Sequence, residues 1–524
     1  MNKNIIYGIY LVAGLFLAQW TIFSVLADGV RGAYLPLAVF TVISIPAWPK
    51  LSTLGLIAMS SASLQLPIPM KPQLWHLLSA LSIPALLLMI SVRKLEPQPL
   101  QDRGMRNWVL FSLFVYVVAM FVSATTNGVG FRDALSNVGG REYIKHTVFV
   151  SAFLGMIFLP VAKKPAQTAI RASWLFALTF AVTDVVAFVA PGALGPVRLF
   201  FQIPGDFANF IGQSELGMAV RLQGVGLASI GVGCWLISCL TNQTSGPKKM
   251  IIMLLVVVCM VGVGMSGYRR YLPILPLALA GSLYARNRLF RVNTFVTVGL
   301  AGVLLLVVAY TTVNKLPLAV QRSLQVLPGM EDVTKQNFYD TKANDAGRAV
   351  VKEEATAMLE DEWITGTSFM HNNKILDRRD QIKYSLAIGY NSLGYLSLLL
   401  HLGLLGFLAS MSLMIAAIVW SYRNMKWYSR VIPDDPFSSS VGVVFGVLFY
   451  TVFYYCLAGG NGLHFFKSMG PPMLALILVS RIKIMTQMEL EAASREATFG
   501  SQEASTVQSK ARPSKPPFEA VPAG

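Results

Sequence analysis

The sequence predicts an all-α fold, a polytopic membrane helix bundle of about 12–14 transmembrane helices with one long, partly helical extracytoplasmic loop. Three observations predict it. Of 524 residues, 54% are hydrophobic and only 13% are charged, whereas soluble domains carry about a quarter charged residues. Apolar runs of about 16–22 residues recur from Ile5 to Val479, close to the length of helix that crosses a hydrocarbon core. Lys and Arg gather in alternate loops between these runs. A soluble globular enzyme is excluded.

The first run, Ile5 to Leu26, ends in Val25-Leu26-Ala27, which faintly resembles a signal-peptidase site. It exceeds the about 7–15 apolar residues of a signal peptide, so it is expected to remain as a helix. Further spans are expected at 33–48, 51–66, 74–92, 107–123, 147–161, 173–190, 224–240, 250–265, 271–285, 293–312, 392–421, 438–457 and 465–480. Every second loop is basic: Lys50; Arg93, Lys94, Arg103 and Arg106; Lys163, Lys164 and Arg171; Lys248 and Lys249; Arg286, Arg288 and Arg291; Arg423, Lys426 and Arg430; Arg481 and Lys483. The positive-inside rule then places both termini in the cytoplasm. The net charge of +17 encodes orientation and implies no nucleic-acid partner.

This arrangement divides the chain into a transmembrane bundle (1–312), an extracytoplasmic loop domain (313–388), C-terminal transmembrane helices (389–480) and a cytoplasmic tail (481–524). Ala124 to His146 and Pro191 to Gly224 form medium loops on the outer side. The long loop is expected to contain a helix after Asn344 and Asp345, because Val351, Ala355, Met358 and Leu359 share one helical face. Beyond Glu489 the composition turns polar and ends rich in proline, predicting a disordered tail.

Cys234, Cys239, Cys259 and Cys456 fall within or at the ends of apolar runs, without metal-type spacing, so no metal site or disulfide framework is expected. His76, His146 and His464 stand at span ends, where packing or interfacial roles suffice. Asp184 lies near the middle of a span. A functional carboxyl and an interhelical hydrogen bond account for it equally well.

The strongest chemical signal is a set of arginines on the outer side. Arg221 stands at the mouth of one span, and Arg269 and Arg270 follow another in Ser266-Gly267-Tyr268-Arg269-Arg270-Tyr271. Arg348 opens the expected loop helix. Guanidinium forks remain ionised and match phosphate oxygens in pairs. Snorkelling, or pairing with Glu142, Glu215 or Asp206, is the structural alternative for each.

These pieces, in order, resemble the O-antigen ligase and polymerase superfamily. They are Arg221-Leu222-Gln223-Gly224, the Ser266-x-x-Arg269 helix end, Gly347-Arg348, the turn Trp363-Ile364-Thr365-Gly366-Thr367, and the helix Tyr395 to Gly406 ending in Gly-Leu-Leu-Gly. The resemblance covers about residues 200–410. It implies a metal-independent membrane glycosyltransferase of the bacterial inner membrane, without a cofactor. The implied partners are a polyprenyl-diphosphate-linked glycan donor, a glycan or lipid acceptor, the bilayer and other polysaccharide assembly proteins. Arg221, Arg269, Arg270 and Arg348 would bind the diphosphate and neutralise its growing charge.

A general base must take the acceptor proton. The chain departs from the family here, reading Tyr390-Asn391-Ser392-Leu393 where a His-Asn pair is common and lacking the acidic residue expected near His401. A His-Asn pair occurs earlier, at His371-Asn372. Histidine titrates near neutrality, which favours His371; Glu353 and Glu354, close to Arg348 on the expected helix, are the alternatives. Two other function classes fit the composition. A flippase for lipid-linked glycans shares the span number, although no convincing internal repeat accompanies it. A non-catalytic membrane partner of polysaccharide export is the other.

Overall fold

The computed structural model describes residues 34–45, 48–66, 72–92, 103–127, 140–202, 222–325, 349–360, 363–367, 394–458 and 465–510, with isolated positions at 16–32 and at 327. The protein is an all-α polytopic helix bundle. Among the described residues no strand forms, and extended pairing is limited to two isolated bridges, Leu64 with Phe201 and Gln65 with Gln73.

The helices are α1 (Tyr34–Ser44), α2 (48–59), α3 (Leu74–Ser91), α4 (Arg103–Asn127), α5 (Gly140–Phe158), α6 (Lys163–Phe176), α7 (Thr179–Val189), α8 (Leu194–Phe200) and α9 (Gln223–Ser238). Then follow α10 (Gly246–Met265), α11 (Ile274–Ala285), α12 (Val292–Thr312), α13 (Leu318–Leu324), α14 (349–360), α15 (Tyr395–Val431), α16 (Ser438–Phe453) and α17 (Phe465–Lys510). Six helical stretches among the described residues have the length and apolarity to cross a membrane: Leu74–Ser91, Arg103–Thr126, Lys163–Val189, Gly246–Met265, Tyr395–Val431 and Ser438–Cys456. The protein is therefore a multi-pass membrane protein.

Where the sequence predicts spans at 33–48 and 51–66, the helices are short. The 11 residues of α1 rise about 17 Å at 1.5 Å each, well under the about 30 Å hydrocarbon core. After Met59 the chain turns at Ser60 and Ser61 and meets residues 73 and 201 instead of continuing. Serine hydroxyls compete for the backbone there, and Ser60 Oγ donates to the Ile57 carbonyl at 2.8 Å.

Small residues decide how the bundle closes. A side chain at Gly231 of α9 would strike the Trp174 carbonyl of α6, and one at Gly226 would strike Ser266. On the other side, Gly281 of α11 meets Gly442 of α16 backbone to backbone, and Gly446 abuts the Leu277 carbonyl. The Gly442-x-x-x-Gly446 spacing is the pattern that lets membrane helices approach closely. Trp420, Tyr116, Tyr428, Phe149 and Phe153 are wholly buried in the main core.

Polar contacts sort to two ends of the bundle. At one, Arg171 donates to the Pro436 carbonyl at 2.7 Å, and Asn242 Oδ1 accepts from Arg286 and Arg288 at 3.0 and 3.1 Å. Burial, followed by the Arg288 charge, lowers the Arg286 pKa to about 10. Lys163 pairs with Glu489 at the same end. All these residues belong to the set that charge alternation puts on one side. The arginine turn and the described parts of the long loop lie at the other end.

Two helices differ from expectation. In α15, Gly403 adopts φ 63° and ψ −172°, which breaks the helix inside the run Leu402-Gly403-Leu404-Leu405. In α17 the helix continues to Lys510, through the first part of the tail expected to lack structure. Met488 to Ala497 is rich in Glu, Ala, Met and Leu, strong helix formers even without a core to face. Arg481 is buried rather than solvated, donating to the Met156 carbonyl at 2.9 Å and to the Leu159 carbonyl at the end of α5.

Candidate anion-binding site

The arginine turn arises from how α10 stops and α11 starts. Ser266 Oγ donates to the Val263 carbonyl at 2.6 Å and accepts the Tyr268 N–H at 3.2 Å. Gly267 follows at φ 69°, the left-handed conformation that ends helices. Arg269–Tyr271 then forms a single 3-10 turn, and Pro273 precedes the first residue of α11. The eight-residue corner between α10 and α11, Ser266 to Pro273, thus presents both guanidiniums at one end of the bundle.

The two arginines differ in their surroundings. Arg270 is caged by tyrosines, its guanidinium 4.7 Å from the Tyr268 ring centre and 5.0 Å from that of Tyr271. Its Nη1 donates to the Tyr454 hydroxyl at 3.1 Å and its Nη2 to the Tyr271 hydroxyl at 3.2 Å. The buried Nε has no hydrogen-bond partner among the described residues. Burial pulls its pKa down, but the Tyr271 and Tyr454 oxygens outweigh it and hold the group above the ordinary arginine value. Arg270 is a fixed cation.

Arg269 turns toward α13. Its Nε donates to the Arg322 carbonyl at 3.2 Å and its Nη2 to Gln325 Oε1 at 2.6 Å. Here α13 is anchored to the end of α10, with Ser323 Oγ donating to the Gly264 carbonyl at 2.9 Å and Val320 packed over Gly264.

The segment leading into α9 joins the same corner. The Leu222 N–H donates to the Met265 carbonyl at 3.3 Å, and Gln223 Nε2 to the Tyr271 hydroxyl at 3.1 Å. Arg221, Arg348 and His371 lie outside the described residues. Leu222 and Gln223 thus reach this corner from a segment more than 40 residues away in sequence from Arg269.

Glu353 and Glu354 are on α14, where Glu353 is exposed and Glu354 half-buried. Ala355 and Leu359 pack on Leu400 of α15, with Val351 and Met358 beside them, the apolar face expected from the sequence. The turn at 363–367 docks into the break in α15. The Leu404 N–H donates to the Trp363 carbonyl at 2.9 Å, and the Thr367 N–H and Oγ1 donate to the Leu400 carbonyl at 2.6 and 3.0 Å. A broken membrane helix survives when such partners satisfy its freed backbone groups.

Sequence reasoning missed Tyr268, Tyr271, Tyr454, Gln223, Arg322 and Gln325. The tyrosines flanking Arg269-Arg270 were a readable signal, because guanidiniums stack on aromatic rings. Nothing in the local pattern marked Arg322. Fold and corner together define a multi-pass membrane protein with a cationic, tyrosine-lined site at one end of its helices. No family model matches the chain, and no curated protein matches it.

Proposed function

We propose that the protein transfers or polymerises lipid-linked oligosaccharide on the outer face of the bacterial cytoplasmic membrane, with both termini in the cytoplasm. The observation that carries this reading is the pair of hydrogen bonds from Leu222 to Met265 and from Gln223 to Tyr271, which joins the start of α9 to the end of α10 and to the Arg269–Arg270 turn. In the proposed reaction an acceptor hydroxyl attacks the anomeric carbon of the donor sugar. The bond from that carbon to the diphosphate oxygen breaks, the diphosphate leaves with the electron pair, and a base takes the hydroxyl proton. Negative charge grows on the leaving oxygens, where fixed cations lower the barrier most. Arg270 is already oriented by tyrosines, so little reorganisation accompanies that step.

The test is a reaction of purified protein with polyprenyl-diphosphate-linked oligosaccharide and an acceptor, without added nucleotide or metal. Longer or newly attached glycan is the expected result; unchanged donor overturns the proposal. One observation favours a lipid-linked glycan flippase as the second reading: transporters often build sites at broken helices, and α15 is broken at Gly403. Movement of the donor between leaflets without glycan transfer would select it.

A further inference from the structure

We infer that the 363–367 turn is a membrane anchor of the long loop, with Trp363 and Ile364 inserted among the acyl chains just below the lipid headgroups. The partner is the bilayer, contacted by a segment that hydropathy assigns to an aqueous loop. This contact does not depend on glycan transfer.

The first observation is depth. From Leu404 to Tyr422 α15 carries no charge, and Arg423, Lys426 and Arg430 then mark one membrane boundary beside Tyr422 and Trp427. Counted back from Arg423 at 1.5 Å per residue, Gly403 lies about 30 Å away, one hydrocarbon thickness. The neighbouring α4 gives the same level. Its Trp108 Nε1 donates to Ser412 Oγ at 2.8 Å and its Ser123 Oγ to the His401 carbonyl at 3.2 Å, so α4 runs antiparallel to α15 with Ser123 beside the break. The apolar run of α4 ends at Val122, and Ser123, Thr125, Thr126 and Asn127 follow. The break in α15 therefore lies at the opposite membrane boundary from Arg423.

The second observation is what the turn brings to that boundary. Trp363 and Ile364 are 47% and 61% exposed, yet their carbonyls both accept the Leu404 N–H, at 2.9 and 3.2 Å. Two exposed apolar side chains are thus fastened at the boundary, on a helix whose Leu405 and Leu408 are exposed as well. In a turn surrounded by water, solvent would satisfy the peptide groups. Here the protein satisfies them: the Thr367 N–H and Oγ1 both donate to the Leu400 carbonyl, and Gly366 lies against the backbone of His401 and Gly403. Irregular backbone is tolerated at membrane depth on that condition. No residue from 363 to 367 is charged, and Trp, with an apolar ring and a polar N–H, is enriched at the membrane–water interface.

The experiment uses the full-length protein with Cys234, Cys239, Cys259 and Cys456 replaced by alanine and an environment-sensitive fluorophore on Ile364→Cys. The protein is placed in nanodiscs of phosphatidylethanolamine and phosphatidylglycerol, open to water on both faces. Quenching is measured with nitroxide-bearing lipids and with aqueous iodide. Labels at Phe121, exposed at the end of the α4 apolar run, and at Lys352, exposed on α14, serve as the lipid and water references. The label at 364 is expected to be quenched several-fold more by a nitroxide near the headgroup than by one at the chain end, as strongly as the label at 121, and to be spared by iodide. Iodide quenching equal to that at 352, without lipid quenching, overturns the inference. Shielding from both quenchers also overturns it, because protein would then cover the turn. Trp363→Cys with the same label serves as the test if the Ile364 variant does not fold. Gly403→Ala, which releases the turn, should move the label from lipid to iodide quenching. Lipid quenching that persists in folded Gly403→Ala protein overturns the part of the break in setting the depth.

Discussion

Asp184 of α7 accepts the backbone N–H of Val225, in the first turn of α9, at 3.0 Å. The carboxylate is buried and lies where Gly224, lacking a side chain, lets α7 approach closely. An acid in the middle of an apolar span thereby satisfies one of the orphan donors at a helix start. Asp184→Leu should cost about 1–3 kcal/mol through loss of the cap and a stranded buried N–H. Asp184→Asn, which keeps an acceptor oxygen, should cost much less. Thermal unfolding in detergent measures both. Loss of glycan transfer in the Asn variant at an unchanged midpoint would give Asp184 a chemical role instead.

Gly403 and Gly366 make the docking of the long loop onto α15 sensitive to a single methyl group. Both have positive φ, at 63° and 72°, and a side chain at Gly366 would lie 2.7 Å from the His401 carbonyl carbon. Alanine at either site combines about 1–2 kcal/mol of left-handed strain with a backbone clash. Gly403→Ala and Gly366→Ala should therefore release the 363–367 turn. A cysteine placed at Thr367 should react several-fold faster with a thiol reagent in each variant, and equal rates would show that the turn is held some other way.

The two adjacent arginines should respond differently to lysine. Arg270→Lys keeps the charge over the tyrosine rings but loses the paired hydrogen bonds to Tyr454 and Tyr271. A charge-assisted hydrogen bond contributes about 1.5–3 kcal/mol, so Arg270→Lys should lower stability more than Tyr454→Phe, which removes one bond and retains the ring. Arg269→Lys gives up the paired bonds to the Arg322 carbonyl and Gln325, so it should also lower the unfolding midpoint, but it differs in that transfer should fall by about tenfold or more in protein that remains folded, through loss of the fork. Near-normal transfer by Arg269→Lys would reduce this residue to a prop for α13.

What could be read from the sequence follows the length scale of each signal. Runs such as 246–265 and 438–453 are long, uninterrupted and bounded by polar loops, so their helices appear where hydropathy puts them. The face Val351, Ala355, Met358 and Leu359 was legible for the same reason, since its spacing survives over two turns. The break at Gly403 was not legible. A glycine within Leu-rich sequence is compatible with an unbroken membrane helix, and only the distant turn at 363–367 makes the break affordable. Arg322 was hidden because a seven-residue helix is too short to impose a period, and its burial depends on Gly264 and Arg269, far away in sequence.

Sidedness is testable independently of chemistry. Charge alternation puts the long loop outside and the C-terminal end of α17 inside. A cysteine introduced at Gln336 should react with an impermeant thiol reagent in intact cells, whereas one at Ser505 should react only after the membrane is opened. The reverse pattern would turn the arginine corner toward the cytoplasm and remove the lipid-linked donor from its reach.

The general base is the last test, because resemblance and residues point to different places. Histidine exchanges protons near neutral pH, which favours His371. The rival carboxylates have a defined mount: α14 is pinned to α15 through Ala355, Leu359 and Leu400, leaving Glu353 exposed and Glu354 at the half-buried margin. Because they sit on a packed helix, replacing either with glutamine should leave the mount undisturbed, so lost activity reports on the carboxylate. His371→Ala is expected to reduce transfer by about 100-fold, within the usual worth of a general base. Glu353→Gln and Glu354→Gln should retain most activity. Loss confined to one glutamate variant would move the base onto α14. Retention in all three would place proton removal with another group or with solvent, and the arginine corner would then carry the catalysis through charge neutralisation alone.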